Sequence, residues 1–234
     1  MGLKALGTEK SGLKFPEPHA PNPKPWRPMD RLKAGIHHFR TEVFPQQKEL
    51  LEKLALEGQK PHTLVIACSD SRIKLDEWTR ADPGEFFVIR NAGNVVPPWD
   101  SVEHSGVTAS IEYAIRVLPI HNVIIAGHSH CGAITAVMHP EQMENMPSVK
   151  AWLEHAKEAR TRAETKFPEV DETRILRKAI AENVLLQVEN LKGFPCVQEK
   201  LEAGTLKIFP WVLEFETGNV YEYNYEAQLW IVLE

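Results

Sequence analysis

Three side chains able to bind a soft metal stand at the ends of two apolar runs. Cys68 follows Leu64-Val65-Ile66-Ala67, and His128 and Cys131 follow Val123-Ile124-Ile125-Ala126. Two thiolates and one imidazole make a three-ligand zinc set that leaves the fourth position open, as catalytic zinc sites require. The first patch continues as Ser69-Asp70-Ser71-Arg72, placing an acid and a base within four residues of Cys68. An arginine fork holds a carboxylate by two parallel bonds, keeping it ionised and off a metal, which lysine cannot reproduce. On its own Asp-Ser-Arg reads as a turn cap or a local salt bridge; closeness to Cys68 turns the reading toward chemistry. A closed structural site would need a fourth protein ligand, and Asp70 is the one obvious candidate.

The flanking residues define the elements that must position this set. A short β-branched run that ends in small and polar residues reads as a buried strand opening into a loop. Ligands of open α/β sheets gather at the carboxyl ends of such strands. Strands are expected over 63–67 and 122–126, with another at Phe86–Arg90 that ends in Asn91-Ala92-Gly93-Asn94. A helix over roughly 103–118 shows Val107, Ile111, Ala114, Ile115 and Leu118 on one side. Another begins near Cys131, and the partial positive charge of its N-terminus favours thiolate there. This order predicts an α/β fold, a mainly parallel central sheet flanked by helices.

Upstream, Leu32, Ile36 and Phe39 recur at helical spacing between Met29 and Val43, so that Ile36 and Phe39 pack while His37 and His38 face solvent. Pro45 ends that helix and can open the next, which carries Leu50, Leu51 and Leu54. Downstream come helices at about 148–164 and 171–191. A C-terminal strand pair follows, Leu206–Phe215 and Val220–Tyr225, joined by the turn Glu216-Thr217-Gly218-Asn219. Trp211, Leu213 and Phe215 alternate on one strand face, which reads as core packing. Residues 1–26, rich in Pro, Gly and Lys, read as an extended N-terminal arm, and residues 27–234 as a single domain that includes the N-terminal helices.

Composition narrows the function classes. A chain of 234 residues holds one sizeable core, and 43% hydrophobic with 25% charged residues is ordinary for a globular protein. A net charge of −5 argues against a nucleic-acid partner. No apolar run approaches the roughly 18 residues that span a bilayer, so no membrane partner is expected. The opening Met1-Gly2-Leu3-Lys4 has no apolar signal region, and Leu6 stands where a myristoylation signal carries Ser or Thr; the expected location is cytoplasmic. Three cysteines suit reduced thiols better than a disulfide framework, which leaves Cys196 as a small packing residue.

Cys-x-Asp-x-Arg, then Gly127-His128-Ser129-His130-Cys131-Gly132, with Pro83-Gly84-Glu85 and Arg90-Asn91-Ala92-Gly93-Asn94 between them, resembles the β-class carbonic anhydrases over about residues 30–225. The resemblance implies one Zn2+ per chain held by Cys68, His128 and Cys131, with Asp70 and Arg72 as the catalytic dyad. It implies carbon dioxide and bicarbonate as substrates, and a homodimer or homotetramer with N-terminal helices wrapped over the partner. The family has an open state and a state in which the aspartate turns onto zinc; the second goes with Trp three residues before the first cysteine, where this chain has Val65. Gln59 and Tyr113 stand where plant-like members carry cleft residues, Phe87 stands at the aromatic wall, and Gly132 completes the expected substrate-binding set. The match therefore implies the open form.

Carbon dioxide has no charge for a pocket to grip, so catalysis must make hydroxide available near neutrality and aim it. Zinc lowers the pKa of bound water to about 7. Two thiolates make a weaker Lewis acid than three imidazoles would, and an ionised Asp70 offsets this by accepting the hydroxide's proton in a hydrogen bond. The expected reaction is reversible hydration of carbon dioxide by zinc-bound hydroxide oriented by Asp70 and Arg72. Two other readings stand beside it: hydrolysis of carbonyl sulfide or carbon disulfide with the same ligands, and a non-catalytic zinc protein, against which Asp70, Arg72 and Gln59 speak. His130 and His104 are both candidates to carry protons.

Overall fold

The computed structural model describes residues 29–101 and 105–234. The expected arm over 1–26 and His104 lie outside the described residues. The chain divides into two compact units, a first that ends at Leu51 and a second over Glu52–Glu234.

The first unit holds α1 (Met29–His38), a π-helical turn (Phe39–Val43) and most of α2 (Phe44–Glu57). Pro45 does not break the helical path. The Phe44 N–H bonds back five residues to the Phe39 carbonyl, and this widened turn accommodates a proline that has no N–H and crowds the preceding turn. Ile36 and Phe39, expected to pack, are 62% and 44% exposed. His37 and His38 are exposed as expected.

The second unit is built on one six-stranded sheet. In chain order its elements are β1 (Thr63–Cys68), α3 (Leu75–Thr79), β2 (Phe86–Asn91), α4 (Gly106–Val117), β3 (Asn122–His128) and α5 (Gly132–Met138). They continue as α6 (Pro147–Leu153), α7 (Lys157–Lys166), α8 (Glu172–Lys192), α9 (Pro195–Glu202), β4 (Lys207–Leu213), β5 (Val220–Asn224) and β6 (Leu229–Val232). The strand order is β2-β1-β3-β4-β5-β6, with the first four parallel and the last two antiparallel. Ser105 starts α4 by accepting the Thr108 N–H in a capping box, later than the sequence periodicity suggested. The helix expected over 148–164 is interrupted by a tighter turn at Glu154–Ala156, and α3, α9 and β6 had no sequence signal strong enough to single them out.

Alternation along the central strands feeds two cores. Leu64, Ile66, Val123 and Ile125 face one way, onto Ile111 and Ile115 of α4 and onto Val184, Val188 and Leu191 of α8. Val65, Ala67, Ile124 and Ala126 face the other, onto Ile134 of α5 and the helices that follow it. Both faces of β1 and β3 are buried, which is why these strands read as unbroken apolar runs. Ala67 pairs with Ala126 and His128 with Leu213, so β1, β3 and β4 end side by side in the middle of the sheet. Gly127 permits close approach there: a Cβ would fall 2.6 Å from Val184 Cγ2.

Candidate metal centre

The two strand ends deliver a set of donors to one place. Cys68 closes β1, His128 closes β3, and Cys131 precedes α5; all three are buried and their donor atoms lie within 4.8 Å of one another. The sulfurs of Cys68 and Cys131 are 3.9 Å apart. His128 Nδ1 faces the Ser129 carbonyl at 2.9 Å, which makes Nδ1 the protonated nitrogen and leaves a lone pair on Nε2. That Nε2 is buried and has no hydrogen-bond partner. A buried polar atom left unpaired costs about 1–3 kcal/mol. A cation among two sulfurs and this nitrogen would satisfy it, and two thiolates with one imidazole are a donor set that fits zinc.

The thiols already show the strain of close charges. Cys68 is held down, chiefly by the Cys131 thiol beside it, while Cys131 is pushed up by the neighbouring Cys68 and by burial. One proton shared by the pair is the physical content, and a bound divalent cation is what lets both sulfurs be anionic. The Gly93 N–H also points at Cys68 Sγ, at 3.4 Å. Gly93 has φ +84°, and a Cβ there would lie 3.2 Å from Ala133 Cβ, so glycine is what brings this backbone close to the sulfur.

Asp70 follows Cys68 by two residues and is gripped by Arg72. The Arg72 backbone N–H and Nε both donate to Asp70 Oδ1 at 2.9 Å, and Nη2 donates to Oδ2 at 2.8 Å. These bonds hold the carboxyl down to about 2, with the guanidinium fork the largest cause. Asp70 Oδ2 stands 4.0 Å from His128 Nε2, beside the donor set.

The comparisons with known proteins decide the family. The family model described as carbonic anhydrase matches residues 63–220. A carbonic anhydrase of Synechococcus elongatus is 44% identical over 193 residues, covering 82% of this chain and 70% of the relative. One of Pseudomonas aeruginosa is 39% identical, covering 80% of this chain and 83% of the relative. The chain belongs to the β-class carbonic anhydrases. Among solved structures, the β-carbonic anhydrase CcaA superposes with a TM-score of 0.84 at 34% identity, covering 88% of this chain and 92% of that one. A Coccomyxa β-carbonic anhydrase, in complex with acetazolamide, gives 0.73 at 27% identity, covering 84% and 86%.

Within this carbonic anhydrase the expected cleft residues are placed unevenly. Gly132 is the first residue of α5, directly after Cys131. Phe87 pairs with Leu64, four residues before the strand level of Cys68, which puts it roughly 13 Å away along the strand. Its ring meets that of Tyr113 at 6.0 Å, and Tyr113 is 46% exposed. Gln59 is exposed between α2 and β1. In a single chain, then, Phe87 and Tyr113 are together, but away from the donor set.

Three supports were not singled out by sequence. Phe215, read as a core residue, sets its ring 4.5 Å from the Arg72 guanidinium carbon and 5.2 Å from the His128 ring. Arg90 donates to the Cys68 carbonyl at 3.0 and 3.1 Å and to the Asp70 carbonyl at 2.7 Å, tying the end of β1 to the turn that carries Asp70. The third is a polar stripe on α8. Asn183 donates to the Gly93 carbonyl at 3.1 Å; Gln187 accepts the Val96 N–H at 2.8 Å, and Asn190 donates to the Val96 carbonyl at 2.9 Å. Polar residues at i, i+4 and i+7 on a helix face that is otherwise buried were the available signal. Cys196 is buried in the α4–α9 core, as its packing role requires.

Proposed function

We propose that this chain hydrates carbon dioxide reversibly to bicarbonate and a proton at one zinc ion held by Cys68, His128 and Cys131, with Asp70 and Arg72 as the catalytic dyad. The observation that carries the reading is the placement of Asp70: both oxygens are bonded by Arg72 while Oδ2 stays 4.0 Å from His128 Nε2. An aspartate so restrained stays out of the ligand set and faces it, which favours the open form.

Zinc, when bound, supplies a nucleophile near neutral pH by lowering the pKa of water. The chain's residues do the rest. Asp70 Oδ2 accepts the hydrogen bond of the attacking hydroxyl group and so turns an oxygen lone pair toward the carbon of carbon dioxide. Arg72 keeps Asp70 anionic and fixes its rotamer; Phe215 covers the guanidinium and limits the water that could compete for it. Hydrophobic burial of both thiols and of His128 keeps the ligand set dry and rigid.

Gln59, Phe87, Tyr113 and Gly132 are assigned to the substrate cleft. Phe87 lies on edge strand β2 beside the exposed Val88, and Tyr113 is itself exposed, so a cleft that joins them to the donor set calls for a second copy of the chain. The exposed stripe Met29, Leu32, Ile36 and Phe39 on α1 and its following turn supports the same self-association, as a homodimer or homotetramer. A β-carbonic anhydrase of the fungus Sordaria macrospora, 26% identical with a TM-score of 0.74, is described as tetrameric. All three cysteines are free thiols, which supports a reducing, cytoplasmic location.

Zinc content by elemental analysis, together with rapid-mixing carbon dioxide hydration, tests the proposal. One zinc per chain with hydration that disappears on chelation is the expected result. Zinc-loaded protein without hydration activity, or with carbonyl sulfide hydrolysis alone, refutes it.

A further inference from the structure

Glu216 stands outside the donor set, in the turn after β4. Its two oxygens are nevertheless directed at the loop that carries the second patch. Oε2 accepts the Ser129 hydroxyl at 2.6 Å, and Oε1 faces His130 Nε2 at 2.7 Å. Arg177 of α8 donates to the same Oε1 at 3.2 Å and pairs with Glu214 at 3.0 Å, which orients the carboxylate from behind. Ser129 completes a closed loop of bonds, because its hydroxyl oxygen also accepts the Phe215 N–H at 3.0 Å and its own N–H reaches the Leu213 carbonyl at 2.8 Å.

The consequence reaches Arg72 by two routes. His130 has φ +53°, a left-handed conformation that is uncommon for a residue with a Cβ. That conformation turns the His130 carbonyl toward Arg72, whose Nη2 donates to it at 3.1 Å while also donating to Asp70 Oδ2. The second route is Phe215, the residue before Glu216, whose ring lies 4.5 Å from the same guanidinium. One short segment therefore supports the arginine from the face, through Phe215, and from the end of its fork, through Glu216 and His130.

We propose that Glu216 is a positioning residue for the Asp70–Arg72 pair: it locks the Ser129–His130 turn so that the His130 carbonyl holds Arg72 Nη2 in the geometry that grips Asp70. This rests on the reading of Asp70 and Arg72 as the dyad. It assigns no proton transfer to Glu216 or His130. It also gives the turn after β4 a task in the reaction that the ligand motifs alone do not reveal.

A double-mutant cycle with zinc-loaded protein tests it, using Glu216→Ala, Arg72→Ala and the pair, with turnover expressed per bound zinc. Glu216→Ala should lower kcat by about tenfold with zinc content unchanged, and should change Arg72→Ala by less than about twofold, because the group it acts through is gone. Glu216→Gln keeps an oxygen acceptor for the turn and should stay within about threefold of the parent. A readout independent of turnover is the side-chain Nε–H of Arg72 in isotope-labelled protein. Its hydrogen exchange should quicken by about tenfold in Glu216→Ala and little in Glu216→Gln, if fixing the fork is what protects it. Equal fractional losses in both backgrounds, or unchanged exchange at Arg72, would overturn the proposal and make Glu216 a merely structural residue. If Glu216→Ala does not fold, Glu216→Asp, which keeps the charge but draws the carboxylate back by one methylene from Ser129 and His130, takes its place: lower turnover per zinc with faster Arg72 exchange supports the proposal, and parent-like values of both overturn it. Arg72→Ala alone tests the dyad: full activity in that single variant removes the dyad reading, whereas low activity without coupling to Glu216 removes only this inference.

Discussion

Asp70 Oδ2 and His128 Nε2 are 4.0 Å apart, and the imidazole nitrogen has no hydrogen-bond partner although it is buried. Nε2 bears a lone pair, because Nδ1 donates to the Ser129 carbonyl. Asp70 is an ionised acceptor whose oxygens are held by Arg72, so the carboxylate cannot satisfy the nitrogen and a cation can. The arrangement separates two tasks that a single strand end could easily have confused. In the proposed reaction, metal holding falls to Cys68, His128 and Cys131, and orientation to Asp70.

This separation sets the first prediction. Replacing Cys68, His128 or Cys131 by Ala should remove zinc, since two protein ligands hold the ion far more weakly than three. Elemental analysis of the three variants against the parent checks it, and equal metal content in all four would end the assignment.

Asp70→Asn preserves size but loses the charge that accepts the attacking group's hydrogen bond and pairs with Arg72. Zinc should stay bound while turnover per zinc falls by roughly a hundredfold or more. Arg72→Lys should restore little of what Arg72→Ala loses, since an ammonium cannot reproduce the fork that bonds both Asp70 oxygens. Rates within a factor of about three of the parent across pH would contradict the dyad.

Acid stability carries the mark of Glu216. Its carboxyl is held down to about 2 from an ordinary 4.5, first by the Ser129 hydroxyl and also by His130. A depressed carboxylate pKa adds stability that is fully present above the unfolded value and is lost as pH falls through the folded one. The gap in Tm between the parent and Glu216→Gln should therefore be widest above pH 4.5 and shrink toward pH 2. A gap that is constant, or that widens in acid, would show that the ionised carboxylate is not what stabilises the turn.

Close approach of β3 to α8 yields a packing prediction. Gly127→Ala places a methyl 2.6 Å from Val184 Cγ2, in a core where Val184 is fully buried and has nowhere to retreat. Overpacking of this kind costs about 1–3 kcal/mol. Denaturant unfolding should show it as a lower midpoint with an unchanged slope. Because Gly127 precedes His128, zinc should also be held more loosely; parent-like stability and metal retention together would mean the helix simply yields.

What the sequence determined by itself was local. Cys68, Asp70, Arg72, His128 and Cys131 were legible because each lies within a few residues of a β-branched run, and a buried parallel strand reads as such without its partners. Pro45 and Gly218 likewise marked nearby boundaries, although the π-helical turn before Pro45 and the cap at Ser105 needed the backbone to be seen. The supports were decided only in three dimensions. Alternation along β4 makes Phe215 look the same whether it faces a core or a guanidinium; the choice follows from the pairing of Leu213 with His128, 85 positions earlier, which carries Phe215 past the sheet edge to Arg72. Glu216 and the Asn183–Gln187–Asn190 stripe are polar residues whose partners, Ser129, Gly93 and Val96, lie far away in sequence. A hydrogen bond between distant segments leaves no period or local motif behind, because its geometry exists only once the sheet has aligned β1, β3 and β4. The chain's local sequence therefore named the groups assigned to the chemistry, and the tertiary structure determined what holds them in place.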